Sequence, residues 1–178
     1  MNATKENTMQ TTLDRAEVTQ PSDREVQVKR SFKAPQTLVY RAYTEPTLVQ
    51  RWLLGPPGWS MPVCEMDVRV GGRYRWRWRN NENGAEFGFS GTFREVQPPS
   101  RLVHTEAYDP GTVGDDFPKN DAIVTVTFAA GGERTTVTTL VDFGSKQARD
   151  AAVATGMTDG MEESYQLLDR LLAEQPRA

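Results

Sequence analysis

The sequence predicts one α+β domain in which a curved antiparallel sheet holds a long C-terminal helix around an apolar pocket. Three observations predict it. Between Val63 and Phe143, short runs of strand-forming residues are divided by Gly, Pro and Asn turn signals. Strands so closely spaced leave no room for crossover helices, so they pair antiparallel. After Gly144 the period changes, and Met157, Met161, Tyr165, Leu168 and Leu172 form one helical stripe that needs a large apolar partner. Third, Tyr74, Trp76 and Trp78 alternate with arginines from Arg73 to Arg79, so the pleat of a strand puts all three rings on one face.

Residues 1–22 are polar, rich in Thr, Gln and Glu and without a period, and read as a flexible tail; residues 23–175 read as the single domain. Val26, Val28, Arg30 and Phe32 share one face of a first strand, which Ala34-Pro35 ends because proline lacks a ladder donor. Leu38, Val39, Ala42 and Tyr43 recur at helical spacing. A second short helix follows, with Thr44 as candidate cap and Leu48, Val49, Trp52 and Leu53 on its buried side, and Gly55-Pro56-Pro57-Gly58 breaks it. Strands are expected over 63–70, 73–79, 86–96, 101–108, 122–129 and 134–143. Phe87, Phe89 and Phe93 share a face, and Gly88 and Gly91 among them mark a bend that would let the sheet curl. A helical piece over about 146–154 precedes the main helix, whose start is expected near Asp159, with Glu162 three residues on.

Composition narrows the function. At 178 residues and 37% hydrophobic, the chain can bury a core without staples. A net charge of -3 gives no global support for a nucleic-acid or anionic-membrane partner. The arginine–aromatic run would suggest single-stranded nucleic acid, but stacking rings and cations must converge on one surface, and the pleat separates them. The arginines are expected on a solvated face, paired with residues such as Glu65, Asp67, Glu86 or Glu95. One cysteine, Cys64, and one histidine, His104, allow neither an intrachain disulfide nor a Cys/His zinc site, and no metal site is expected. Cys64 is expected to be a buried, inert thiol. No apolar leader and no run of 18 apolar residues occur, so the expectation is a cytoplasmic protein without membrane insertion. Phosphate-loop, dinucleotide and nucleophile-elbow patterns are missing, and no cofactor is implied.

Several ordered motifs carry a resemblance. Phe32-Lys33-Ala34-Pro35, Val39-Tyr40-Arg41-Ala42-Tyr43-Thr44-Glu45-Pro46 and Arg51-Trp52 resemble the opening signature of one branch of the START/Bet v 1-like (SRPBCC) superfamily, named after the activator of the heat-shock-protein-90 ATPase. Val70-Gly71-Gly72-Arg73-Tyr74 resembles its Gly-Gly turn. Gly91-Thr92-Phe93 with Pro98-Pro99-Ser100-Arg101-Leu102 resembles its central hairpin, and Gly156-Met157 through Gly160-Met161 to Leu168-Asp169-Arg170-Leu171 its C-terminal helix. The resemblance spans about Arg24 to Ala173. It implies the helix-grip fold: a curved antiparallel sheet wrapped around a long C-terminal helix, with two short helices after the first strand. Superfamily members bind lipids, sterols, polyketides or other apolar molecules, and some catalyse cyclisation or ring hydroxylation.

The leading expectation is therefore binding of a small hydrophobic ligand (lipid, sterol, polyketide or aromatic-like) by a protein that is non-enzymatic or only weakly enzymatic. The expected lining is Trp52, Tyr74, Trp76, Trp78, Phe89, Met157, Met161 and Tyr165, with His104 and Glu106, two apart on one strand, as polar anchors. One alternative is a cyclase- or hydrolase-type enzyme using His104 and Glu106, since histidine titrates near neutrality. Another, suggested by the family name, is a co-chaperone-like protein-interaction module. A homodimer is a further expectation, resting on Trp59 in the Gly/Pro loop.

Overall fold

The computed structural model describes residues 13–114 and 121–176. The first element is a short strand, β1 (Glu17–Thr19), paired antiparallel to β2 (Glu25–Phe32). It lies within the segment read from sequence as tail. Long-range hydrogen bonds hold it: the Ala16 amide donates to Glu162 (2.8 Å), and Arg149 donates to Gln20 (2.9 Å) and to the Ser22 carbonyl (3.2 Å). Residues 1–12 of that expected tail lie outside the described residues.

In β2 the alternation buries Val26, Val28, Arg30 and Phe32 on one face. Two helices follow, α1 (Gln36–Thr44) and α2 (Pro46–Trp52). Thr44 does not cap α2. It closes α1, its hydroxyl donating back to the Tyr40 carbonyl (2.9 Å), and Glu45 stands at the cap position with its carboxylate turned to Arg41 (2.6 Å) and no side-chain bond to the α2 amides. Proline at the first helical position starts α2 unaided, because its φ is already helical.

The remaining strands are β3 (Trp59–Met66), β4 (Arg73–Asn80), β5 (Glu86–Gln97), β6 (Arg101–Asp109), β7 (Ala122–Gly131) and β8 (Arg134–Asp142). With β1 and β2 they form an eight-stranded antiparallel sheet ordered β1-β2-β8-β7-β6-β5-β4-β3. β3 overlaps its expected 63–70 span only over 63–66, starting at Trp59 and ending at Met66, since Asp67 to Gly72 form a turn locked by Asp67 N to the Arg73 carbonyl (2.8 Å). β2 and β3 are far apart in the order, so α1 and α2 cross the open side of the curled sheet; α1 packs on β7 and β8, and α2 on β3. The arginines of β4 point outward as the pleat requires, Arg77 bonding Glu86 (2.9 Å) and Asp109 (2.7 Å).

After β8, Ser145 caps α3 (Lys146–Ala154) by accepting from the Ala148 amide (3.1 Å). α4 (Met157–Glu174) starts ahead of the expected Asp159, which sits in its first turn without a capping bond. The cause is Gly156, whose left-handed φ of 79° reverses the chain between the helices at little cost for a residue without Cβ. The apolar stripe of α4 then divides. Tyr165, Leu168 and Leu172 are buried, Tyr165 edge-on to Phe32 at 5.5 Å, and each such side chain contributes about 1.5–3 kcal/mol. Met157 and Met161 are only partly buried.

Beside this contact Arg30, 3% exposed, donates to both oxygens of Asp169 (3.2 and 2.7 Å), with Glu162 3.7 Å away. A guanidinium fork gripping a carboxylate fixes distance and orientation, so it holds α4 in one register over the sheet. No helix among the described residues is long and apolar enough to cross a membrane.

Candidate ligand cavity

Where α4 carries Met157, Gly160 and Met161 instead of large branched side chains, helix and sheet stand apart and enclose a cavity of about 650 Å³. Trp76 and Trp78 of β4 line it together with Phe87 and Phe89 of β5, while Trp52 and Leu53 close it beside α2. These rings hold one another. Trp78 stacks on Phe87 (5.2 Å, 11°) and meets Phe89 edge-on (5.7 Å), within the range where aromatic pairs add to area burial. Their polar edges are turned to backbone: Trp78 Nε1 donates to the Leu53 carbonyl (2.7 Å) and Trp52 Nε1 to that of Ala42 (2.8 Å). The exposed members of the lining, Pro56, Val113, Thr155, Gly156 and Asp159, mark the mouth between the loop after α2, the loop after β6 and the α3–α4 junction.

Of the residues named from sequence, Trp52, Trp76, Trp78, Phe89, His104, Glu106, Met157, Met161 and Tyr165 line this space, and Tyr74 does not. Tyr74 is 2% exposed, its ring 4.9 Å from that of His104, and its hydroxyl donates to the Thr105 carbonyl (2.7 Å). It braces β6 instead of facing a ligand. Tyr43, Phe87, Tyr108 and Thr139 also line the cavity, although they are not in the expected lining. The alternation already used for Phe89 and Glu106 could have found Phe87 and Tyr108, since each lies two residues away. Trp59 is another lining residue. It opens β3 instead of lying in the Gly/Pro loop, and its ring is half-buried against Phe87 (5.3 Å).

His104 and Glu106 both face the concave side. Since the Tyr74 hydroxyl gives its proton to Thr105, its oxygen can only accept from His104 Nδ1 (3.0 Å), which also reaches the Thr105 carbonyl (3.1 Å). This hydrogen-bond pattern assigns the proton to Nδ1 and leaves the lone pair of Nε2 free. Burial lowers the imidazole to about 4, so it is neutral near pH 7.

Glu106 has no hydrogen-bond or ion-pair partner among the described residues, and the register explains why. Its partner on β7 is Ala122. On β5 it lies between the pairs Phe89–Tyr108 and Phe93–His104, which leaves Gly91 as the residue on that face. Neither neighbour carries a polar side chain. Burial accordingly raises the Glu106 carboxyl to about 7. Cys64, half-buried on β3, is pushed up to about 11 by burial, which keeps it a thiol at neutral pH.

Glu106 and His104 have opposite effects on stability. From about pH 4.5 to 7 the folded chain keeps a proton on Glu106 that the unfolded chain has released, so stability falls as pH rises. From about pH 4 to 6.5 the unfolded chain holds a proton that folded His104 lacks, so stability rises with pH. The slopes oppose over most of this range. Glu106→Gln removes the first, and urea denaturation should show a gain on the order of 1–2 kcal/mol at pH 8 that shrinks toward pH 4.5. A difference independent of pH would mean that the folded carboxyl titrates normally.

Among the described residues no group of His, Cys, Asp and Glu could hold a metal ion. A profile of the family described as Activator of Hsp90 ATPase homolog 1-like protein matches residues 33–173. Among solved structures, a Rhodobacter sphaeroides protein is 30% identical, covers 91% of this chain and 100% of its own, and superposes with a TM-score of 0.82. A Chromobacterium violaceum protein is 25% identical over 86% of this chain and 100% of its own, with a TM-score of 0.73. A Nitrosomonas europaea protein is 25% identical over 87% of this chain and 97% of its own, also at 0.73. No protein with a curated description matches. Given the curled antiparallel sheet, the gripped helix and a profile match across most of its length, the chain belongs to the Activator of Hsp90 ATPase homolog 1-like family, within the helix-grip SRPBCC superfamily.

Proposed function

We propose that the protein binds a small apolar molecule in the space between the sheet and α4. The carrying observation is the unfilled volume itself: about 650 Å³ stays open among rings that would otherwise pack on one another. That size suits a drug-sized ligand, and an apolar wall with few polar groups is the usual make-up of such a site. Walls of Trp and Phe faces favour a compact ring system, such as a polyketide or another aromatic molecule, over a long acyl chain.

Gly160 supplies a direct test. It lines the cavity from α4, and a Cβ added there meets nothing within 4 Å. Gly160→Phe should therefore project a ring into the cavity at no cost to folding, since most residues are better helix formers than glycine. Titration with the neutral fluorophore N-phenyl-1-naphthylamine is expected to show saturable binding to the native protein and at least about tenfold weaker binding to Gly160→Phe. Equal affinities would remove the reading.

Acid–base chemistry is a second reading, favoured by Glu106 and His104 facing one space. Native mass spectrometry of the freshly purified protein would identify a retained molecule. Its recovery chemically unchanged after prolonged incubation with the protein would leave binding alone.

A further inference from the structure

The titratable groups that line the cavity are unbalanced. Glu106 faces it from β6, and Asp159 and Glu163 face it from α4, yet no Lys or Arg lines it among the described residues. The buried cation nearby, Arg30, is engaged by Asp169 and Glu162 under the far part of α4. The one other ionisable nitrogen is His104, 6% exposed, whose Nε2 presents a lone pair and not a proton. The inner polar groups of β6 are thus the His104 Nε2 acceptor and the Glu106 carboxyl, acceptor-only once ionised, two residues apart on one strand and so roughly 7 Å apart along it. Trp76 carries a partnerless indole N–H, but that nitrogen is sealed from solvent and from the cavity, and the hydroxyls of Tyr43, Tyr108 and Thr139 in the lining are uncharged donors, so none of these supplies a cation.

A buried carboxyl in an apolar wall is costly unless something compensates it, and Gly91 and Ala122 ensure that this chain does not. Around it stand ring faces, including Trp76, Phe89 and Tyr108. The face of an aromatic ring carries negative charge density and attracts a cation, most strongly where water is excluded. We propose that the ligand carries a cationic nitrogen, a protonated amine on a ring-bearing apolar body, seated on Glu106 with His104 Nε2 as a second acceptor. The proposal rests on the binding reading above and adds the charge of the ligand to it. The raised carboxyl accords with this: a cation would draw the proton off Glu106, so the charge forms where it is compensated.

A matched set of probes tests it: 1-(dimethylaminomethyl)naphthalene, its uncharged carbon isostere 1-isobutylnaphthalene, and 1-naphthylmethanol, titrated by calorimetry at pH 7.5. The amine is expected to bind at least about tenfold tighter than the isostere, the scale of a desolvated cation on ring faces and a carboxylate. In Glu106→Gln that advantage should vanish while the isostere keeps its affinity, which separates lost charge recognition from a damaged cavity. Equal binding of amine and isostere, or an advantage that survives Glu106→Gln, overturns the proposal and leaves the binding reading standing. Tightest binding by the alcohol also overturns it, because Glu106 would then be acting as a protonated donor. Failure of every probe to bind counts against both this proposal and the binding reading.

Discussion

Replacing Gly91 with alanine is expected to destabilise the protein by about 3 kcal/mol or more, a large fraction of a domain's net stability. The reason is steric. A Cβ at Gly91 would overlap the Thr105 carbonyl on the neighbouring strand and come within 2.7 Å of the Tyr74 ring. The first obstacle is backbone, so no rotamer change relieves it, and β5 must move away from β6. That movement would break the group in which Tyr74 and His104 share the Thr105 carbonyl, so probe affinity should fall along with stability. Gly160→Ala is the control, since open space surrounds that position and a gain of up to about 1 kcal/mol is expected from helix propensity. Urea denaturation of both variants decides the matter. A cost below about 1 kcal/mol for Gly91→Ala would mean that the strands approach less closely than described.

The second large effect concerns the clamp on α4. Asp169→Ala is expected to cost about 3 kcal/mol, because it leaves the buried Arg30 guanidinium with the Ser31 carbonyl (3.1 Å) and, as sole counter-charge among the described residues, Glu162 at 3.7 Å. Arg30→Met should cost less, about 1 kcal/mol. It replaces the stem with an apolar one of similar length and leaves behind an Asp169 side chain that is 43% exposed and free to hydrate. The asymmetry is the prediction. Equal costs from both sides would indicate a pair held in water-like surroundings, where either partner matters little.

Much of the architecture could be read from local pattern. The alternation in β4 separated rings from arginines, and the spacing of Met157, Met161, Tyr165, Leu168 and Leu172 located α4. Misplaced boundaries share a cause. Thr44, Asp159 and Val63 to Val70 carry sound local signals for a cap, a helix start and a strand. Each was overruled by a neighbour: a proline with preset φ, a left-handed glycine, and a turn locked onto Arg73. The segment around β1 has no periodicity to detect, because its order comes from the partners Glu162 and Arg149, far away in sequence.

By itself the sequence determined which side chains share a face, for that follows from the covalent repeat of strand and helix. It could not say which of those side chains meet open space. Tyr74 and Trp76 are equivalent in pattern, yet Tyr74 is closed off above Gly91 and beside His104 while Trp76 borders the cavity. Glu106 has acidic and basic residues near it in sequence, yet the register sets it opposite Ala122 and beside Gly91 and leaves it unpaired. Only tertiary structure decided these outcomes. Whether a face becomes core or cavity, and whether a charge finds a partner, depends on the distance between elements brought together from opposite ends of the chain.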